Sequence, residues 1–540
     1  MKLLFLSFPY LLCLVHIFFF PNVWYFPQNK IWLLGATNIF FALQLIVYLN
    51  KKFNWVSYQN FSFDFIKKYN WILLTFYFVF LILHPIRNMS FGDGLLLLET
   101  NLLETTIFSF QFTLDEIFET ISHSLLLKIL VSLGWDNDPR IVYGFLSSFA
   151  GIVLVFILLK EETEKKSLGL YFFLSAGGFL LFYGYSENYT LVSLIHFTLY
   201  FKILYWLRNE SKNKNLLLYG ATAFVSIAIL FHLVSGYLSL LLFYLWYQHS
   251  PKHSKPKHLI VSTLLGLLII LPVFFYFIFL HNPSIDSNST HLIHPPFYPK
   301  QRLVSINHFK EILSVLYFNT GIPILFLLYG YFFHHNSWRT FIQKEEYKIL
   351  FVASFCFFLH GFFHNPQLGF PADWDLMGFY WIPITYLAYS FWNEMENKPK
   401  EFLPILFFGV SLTILSGMSL SKEDPNKEEL WKLTKDLIVN YANDNSKFIA
   451  SLDKKDKKFY TKGDFLFYKA AEITKRMCPF DLQGSIIERM ENHRFYWNLA
   501  FKNGLFKDKN ELQVFLTEAT KTNVMYLKSL EVNKICHPKP

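Results

Sequence analysis

Charged residues are scarce in this sequence of 540 residues. They make up 16% of the chain, whereas a soluble domain carries about a quarter. So low a charged fraction excludes a typical water-soluble protein and favours a lipid environment. The chain also has only 4 cysteines, and they form no cluster with the spacing of a metal site. Cys13 and Cys356 lie within apolar segments, as buried thiols do.

The net charge of +9 comes from lysines and arginines that lie mainly in short loops between apolar runs. Positive residues in such loops are typical of the cytoplasmic side of a membrane protein, so we expect no nucleic-acid partner. The 64 phenylalanines, together with many lysines and asparagines, are typical of an AT-rich bacterial genome. The sequence therefore predicts a multi-pass protein of the bacterial inner (plasma) membrane.

Apolar runs close to the length of a bilayer-spanning helix recur along residues 1–420. Lipid offers no partner for backbone polar groups, so these runs predict helices. The expected fold class is all-α, a polytopic transmembrane helical bundle of about thirteen spans. The predicted spans are 3–20, 31–49, 71–87, 141–159, 168–184, 189–207, 216–232, 234–248, 259–280, 311–335, 347–363, 378–393 and 403–420. Residues 216–248 can also form one long kinked helix, but the charge distribution favours two.

The loops on the side of the N-terminus carry most of the lysines and arginines, so that side is predicted to be cytoplasmic. Residues 1–420 then form a transmembrane domain, and residues 421–540 form a small helical domain in the periplasm. Within this domain, residues 495–519 resemble one helical hairpin of the tetratricopeptide kind. The oxidising compartment predicts a disulfide between Cys478 and Cys536.

The first outward segment, residues 88–140, follows Arg87 and contains Asp93 between two glycines. Flanking glycines let a substrate approach a carboxylate closely. Gly-Asp-Gly is also a common solvated turn, and the residues by themselves favour that interpretation.

Later in the same segment, Asp115 and Glu116 lead into residues 117–130, which carry His123. The pattern predicts an amphipathic helix that lies along the membrane surface. A helix dipole favours acids in the first turn, so the pair has a structural interpretation as well as a catalytic one.

The last outward loop, residues 364–377, begins at His364 and contains Asp373 and Asp375 on either side of Trp374. The tryptophan fits the aromatic belt of a membrane interface. Paired acids at this depth are costly and are more often functional.

Two hairpin tips on the same side carry Glu187 and His232, which can either meet water or line a cavity. Cations that could face a lipid phosphate are Arg87, Lys300 and Arg302, although each can also anchor a helix end by snorkelling.

In this order and on this side, the motifs together resemble bacterial glycosyltransferases of the GT-C fold. That superfamily includes the protein O-mannosyltransferases and the catalytic subunits of oligosaccharyltransferases. The resemblance covers residues 71–393. Its motifs are Phe91-Gly92-Asp93-Gly94, Tyr183-Gly184-Tyr185-Ser186-Glu187-Asn188-Tyr189, His232-Leu233-Val234-Ser235-Gly236 and Asp373-Trp374-Asp375-Leu376.

The resemblance implies an inverting transfer of sugar from a polyprenyl-phosphate donor to a glycan, lipid or protein acceptor. It also implies an acid of the first outward loop as general base, the position that Asp93 occupies. Family members often have an Asp-Glu pair soon after the span, whereas here Asp115 and Glu116 come later, so the base lies among these three. No cofactor is implied, and a divalent metal is left open. The expected substrate-binding residues are Arg87, Glu187, His232, Arg302, His364, Asp373 and Asp375.

Two other functions fit a polytopic chain. A polysaccharide polymerase or ligase also handles polyprenyl-linked glycans, but it should depend on outward arginines, which are few here. A transporter should have a twofold internal repeat and charged or broken helices at mid-membrane. The sequence has no such repeat, and its acids lie at span ends, so transport is the weakest of the three hypotheses.

Overall fold

The computed structural model describes residues 2–19, 30–53, 70–86, 116–135, 139–165, 168–208, 214–277, 297–298, 303–364, 374–396 and 398–421. The chain divides into two compact units, Met1–Lys422 and Glu423–Pro540. The second unit lies outside the described residues, so the helical domain, its repeat and its disulfide stay predictions.

The described residues form helices joined by turns, apart from one isolated bridge between Phe297 and His364. The α-helices, in chain order, are α1 (Lys2–Phe19), α2 (Lys30–Phe53), α3 (Asn70–Leu83), α4 (Ile117–Ser132), α5 (Pro139–Lys165), α6 (Leu170–Leu174), α7 (Thr190–Arg208), α8 (Lys214–Phe231), α9 (Ser239–His249), α10 (Lys255–Phe275), α11 (Ile306–Phe333), α12 (His335–Gln343), α13 (Glu345–Phe363), α14 (Trp381–Glu394) and α15 (Leu403–Leu420). Among the described residues, 7 helices are long and apolar enough to cross a membrane. The all-α polytopic fold is thereby confirmed, and the number of spans stays a prediction.

One predicted span, 168–184, is not a continuous helix. It is divided into α6 and a 3₁₀ helix, Gly177–Phe182. A Cβ at Gly177 would collide with the carbonyl oxygen of Phe318, and one at Gly178 would collide with the ring of Trp381. The two glycines therefore allow a close packing that larger residues would prevent. The hydroxyl of Thr413 donates a hydrogen bond of 2.6 Å to the carbonyl of Leu174, which satisfies one of the acceptors that the early helix end leaves open.

The segment 216–248 consists of two helices, the first of the two alternatives that the sequence left open. Helix α8 ends at Phe231, a 3₁₀ turn covers Leu233–Leu238, and α9 follows. His232 has an extended backbone (φ −156°), which interrupts the helix at this point. The pair is therefore a hairpin.

The polar contacts of the bundle separate into two ends. At one end lysines and arginines pair with glutamates, at Lys2–Glu401 (2.7 Å), Lys344–Glu394 (2.7 Å) and Arg208–Glu346 (3.5 Å). This is the end that the sequence predicts to be cytoplasmic. At the other end the side chains are mainly carboxylates, imidazoles and amides.

Helix α14 is buried on nearly all sides, and most of its buried side chains are apolar or aromatic. Helix α10 lies at the periphery, with Leu264, Leu268 and Phe275 exposed, as suits a helix that faces lipid. Trp381, the first residue of α14, packs against Gly178 at the break after α6. This contact joins α14 to the interrupted helix.

Candidate functional site

A cluster of buried and partly buried polar side chains lies where helix α4 meets the turns before α7 and after α8. Its members are Glu116, Glu119, Glu187, Asn188 and His232. Three of these residues, Glu116, Glu187 and His232, are predicted site residues. Three separate segments of the chain supply these side chains, so only the tertiary fold brings them together.

Glu116 occupies the N-cap position of α4, where the helix dipole favours an acid. Its Oε2 accepts a hydrogen bond from the side-chain amide of Asn188. Its Oε1 lies 3.5 Å from Nε2 of His232, and the carboxylate is 15% exposed. Both carboxylate oxygens thus face protein donors.

His232 is held in one orientation by its own turn. Its Nδ1 accepts the backbone N–H of Val234 at 3.1 Å, so in the neutral ring the proton lies on Nε2, the nitrogen that faces Glu116. Ring contacts to Tyr189 (5.2 Å) and Phe379 (6.2 Å) fix the imidazole from the sides. His232 therefore presents an N–H to Glu116 rather than a free lone pair.

The turn that carries Glu187 is organised by Ser147 of α5. The Ser147 hydroxyl donates to the carbonyl of Leu181 at 2.6 Å and accepts the N–H groups of Gly184 (2.9 Å) and Tyr185 (3.2 Å). Gly184 has φ +76°, a conformation that glycine adopts without strain. The Tyr185 hydroxyl then donates to Oε1 of Glu187 at 3.4 Å.

The first outward loop starts against this same turn. The N–H of Ile86 donates to the carbonyl of Tyr183 at 2.8 Å, and Pro85 packs directly on Gly184. Arg87, Asp93 and Asp115 lie outside the described residues, so their roles stay predictions.

The predicted Asp373-Trp374-Asp375 segment also adjoins the turn. Trp374 lies against Tyr185, with ring centroids 6.0 Å apart, and its carbonyl accepts the side-chain amide of Asn319 at 3.0 Å. Asp375 is 2% exposed and accepts the N–H of Leu376 at 2.9 Å, so it begins the 3₁₀ turn before α14. Asp373 lies outside the described residues.

His364 approaches the cluster from the end of α13. Its ring lies 4.8 Å from that of His360, which is 5.1 Å from the ring of Tyr237, in the turn that follows His232. The bridge with Phe297 joins His364 to the predicted outward segment 281–310, which also carries Lys300 and Arg302. Lys300 and Arg302 of that segment lie outside the described residues, and their phosphate role stays a prediction.

Three contributions were not expected from the sequence. Asn188 follows Glu187 in one of the motifs, which assigns it no role. The spacing of Glu119, three residues after Glu116, puts both acids on one helix face and is the signal that could have marked it. His196 and Ser235 form a buried hydrogen bond of 2.9 Å beneath His232, and no sequence spacing signals that pair.

Burial changes the protonation of two residues on α4. Full burial raises the pKa of Glu119 well above its ordinary value, and the nearby charge of Glu116 adds to the rise. Burial lowers the pKa of His123 to about 4, so its ring is neutral. In the part of the chain that the structure describes, no group of three or more His, Cys, Asp or Glu side chains could hold a metal ion.

No protein-family model matches the chain, and no curated protein matches it. Two solved structures are similar to it in fold. The crystal structure of ArnT from Cupriavidus metallidurans in the apo state has 12% identity and a TM-score of 0.40, and the match covers 79% of this chain and 72% of that one. The crystal structure of ArnT from the same organism bound to undecaprenyl phosphate has 13% identity and a TM-score of 0.39, with 80% and 73% covered.

Fold and site together define a class: a polytopic helical membrane protein with a carboxylate and histidine cluster at one end of its bundle. The cluster contains hydrogen-bond acceptors and oriented donors in a largely buried setting. Such a setting suits recognition of a hydroxyl-rich or polar group at the membrane surface.

Proposed function

We propose that this protein is a membrane glycosyltransferase that moves a sugar from a polyprenyl-phosphate donor to an acceptor on the periplasmic side of the bacterial inner membrane. One observation carries the proposal: Glu116, Glu187, His232 and Asp375, which the family resemblance marks separately, lie on adjoining segments at one end of the bundle. Their convergence on one side is what a single active site requires.

In the proposed reaction Asp93 is the general base. An acceptor hydroxyl transfers its proton to the Asp93 carboxylate as its oxygen bonds to the anomeric carbon. The bond from that carbon to the phosphate oxygen breaks on the opposite face, and the polyprenyl phosphate leaves with the electron pair, which inverts the configuration. Glu116 suits this role less well than Asp93, because Asn188 and His232 face its two oxygens.

The remaining predicted residues bind and orient. Glu116, Glu187 and His232 form the wall against which a sugar can be held, because sugar hydroxyl groups donate to carboxylate oxygens and His232 orients Glu116. Asp373 and Asp375 shape the site where the last outward loop meets Tyr185. Arg87, Arg302 and His364 face the lipid phosphate in this proposal, since charge-assisted hydrogen bonds hold phosphate most strongly.

Deletion of the gene tests the function. We expect the masses of surface glycans, glycolipids or glycoproteins to decrease by one sugar, and the wild-type gene to restore them. Unchanged masses in all three fractions would contradict a glycosyltransferase.

Variants then test the base. In membranes supplied with the lipid-linked sugar, Asp93→Asn should lower turnover by roughly a hundred- to ten-thousand-fold, the usual loss on removal of a general base. Asp115→Asn and Glu116→Gln should lose less. Near-normal turnover of Asp93→Asn together with a dead Glu116→Gln would move the base role to Glu116.

A further inference from the structure

Glu119 is a fully buried carboxyl group with 0% exposure, one helical turn after Glu116 on α4. Its Oε1 accepts the backbone N–H of Leu191 at 3.2 Å and lies 3.5 Å from the hydroxyl of Thr190. Thr190 and Leu191 are the first residues of α7. Glu119 thus caps a helix from outside that helix, and it satisfies one of the N–H groups that a helix start leaves open.

The two acids of α4 bind the same short segment. Glu116 accepts the side chain of Asn188 and Glu119 accepts the backbone of Leu191, so acids three residues apart hold partners three residues apart. Two such contacts fix both the distance and the register between α4 and the start of α7. Because Asn188 follows Glu187 directly, the same register sets where Glu187 lies.

The next turn of α4 is fixed as well. His123 donates from Nδ1 to the carbonyl of Glu119 at 2.7 Å, and its ring stacks on Tyr143 at 4.1 Å. Tyr143 lies one turn before Ser147 on α5, and Ser147 organises the turn at Gly184. Helix α4 is therefore held on both sides by elements that also hold the cluster.

We propose that Glu119 is a positioning residue: by capping α7 it sets the register that brings Asn188 to Glu116 and so shapes the sugar site. This inference rests on the proposed function. Glu119 contacts no reacting atom in this arrangement and acts through Asn188.

The setting of Glu119 indicates which property of the side chain matters. Burial raises its pKa and so favours the uncharged acid, whose carbonyl oxygen accepts from Leu191. Glutamine has the same shape and the same acceptor. Leucine has a similar size and no acceptor.

The test compares Glu119→Gln with Glu119→Leu, and Ser122→Ala serves as the control on the same helix, since its hydroxyl bonds back to Phe118. We expect Glu119→Gln and Ser122→Ala to keep wild-type kcat. Glu119→Leu should lower kcat about a hundredfold, the loss that a misplacement of about 1 Å can cause. If Glu119→Leu does not accumulate, Glu119→Asp replaces it in the test. The aspartate side chain is shorter, so its carboxyl group no longer reaches the N–H of Leu191.

Asn188→Ala separates positioning from mere stability. If Glu119 acts through Asn188, then Glu119→Leu should cause little further loss of kcat in the Asn188→Ala background. Full additivity of the two losses would contradict the proposal, and so would an active Glu119→Leu. Inactive Glu119→Gln would also contradict it, because that result would make the acid itself a reacting group.

A readout without activity keeps this inference separate from the proposed function. Hydrogen exchange of the peptide that contains residues 188–191 should accelerate in Glu119→Leu and stay unchanged in Glu119→Gln. Unchanged exchange in both variants would overturn the capping role even if the protein is a glycosyltransferase. If exchange accelerates in Glu119→Leu but the protein transfers no sugar, the capping role of Glu119 is supported and the proposed glycosyltransferase function is contradicted.

Discussion

Gly184→Ala changes one atom at the point where the first outward loop meets the Glu187 turn. Gly184 has φ +76°, and a Cβ there would lie 2.6 Å from Cβ of Pro85. Carbon atoms pack at about 3.5–4.0 Å, so Pro85 and the turn must separate by about 1 Å. The left-handed backbone costs an alanine a further 1–2 kcal/mol or so.

The shift moves the start of the loop that carries Asp93. It acts on the hydrogen bond between Ile86 N–H and the Tyr183 carbonyl, 2.8 Å long, which fixes that start. Because a misplacement of about 1 Å can cost about a hundredfold in rate, we expect kcat/KM to fall by about that factor. A backbone cost of 1–2 kcal/mol or so should lower Tm by only a few degrees in a chain of this size.

The assay is sugar transfer in membranes with equal amounts of folded protein, measured at several donor concentrations. Gly236→Ala is the matched control, because it lies at the same end of the bundle and no atom lies within 4 Å of its added Cβ. It should keep wild-type activity. Wild-type kcat/KM in Gly184→Ala would refute the argument that this contact positions the loop.

Three further predictions use other observations. Burial raises the pKa of Glu119, so above the ordinary carboxyl pKa the folded chain holds a proton that the unfolded chain has released, and the stability of the wild type falls as pH rises. The Tm of Glu119→Gln relative to that of the wild type should therefore increase with pH above about pH 5, and a constant difference would contradict this. A reporter fused after Lys400 should behave as cytoplasmic and one fused after Leu430 as periplasmic, and the same side for both would contradict the topology. Cys478 and Cys536 should resist thiol labelling in denatured, unreduced protein, whereas full labelling would refute the disulfide.

The helices were predictable because lipid makes length and apolarity sufficient signals. The apolar runs 189–207, 347–363 and 403–420 coincide closely with α7, α13 and α15. The same signals predicted one continuous helix over 168–184, and this prediction was wrong. The run is apolar, but the helix is interrupted between Leu174 and Gly177. The interruption depends on the close approach of Phe318 and Trp381 to two glycines, and these neighbours lie far away in sequence.

Three members of the cluster, Glu116, Glu187 and His232, were predictable from the sequence. Glu187 and His232 lie at hairpin tips, where polar residues can line a cavity, and Glu116 belongs to the acid pair that the family resemblance marks. The sequence did not reveal that Asn188 bonds to Glu116 or that His232 presents an N–H to it. The first contact depends on the distance between two segments of the chain. The second depends on the hydrogen bond that the N–H of Val234 donates to Nδ1 of His232.

The amino-acid sequence by itself determined a polytopic helical protein and predicted acids and histidines at one end and lysine-rich loops at the other, because hydropathy and charge act locally along the chain. Only the tertiary structure decided that Glu119 is buried and caps α7, while Glu116 on the same face keeps its position at the cluster. The physical reason is that helix periodicity puts Glu116 and Glu119 on one face of α4. Which of the two carboxyl groups is removed from solvent depends on where α7 packs against that face.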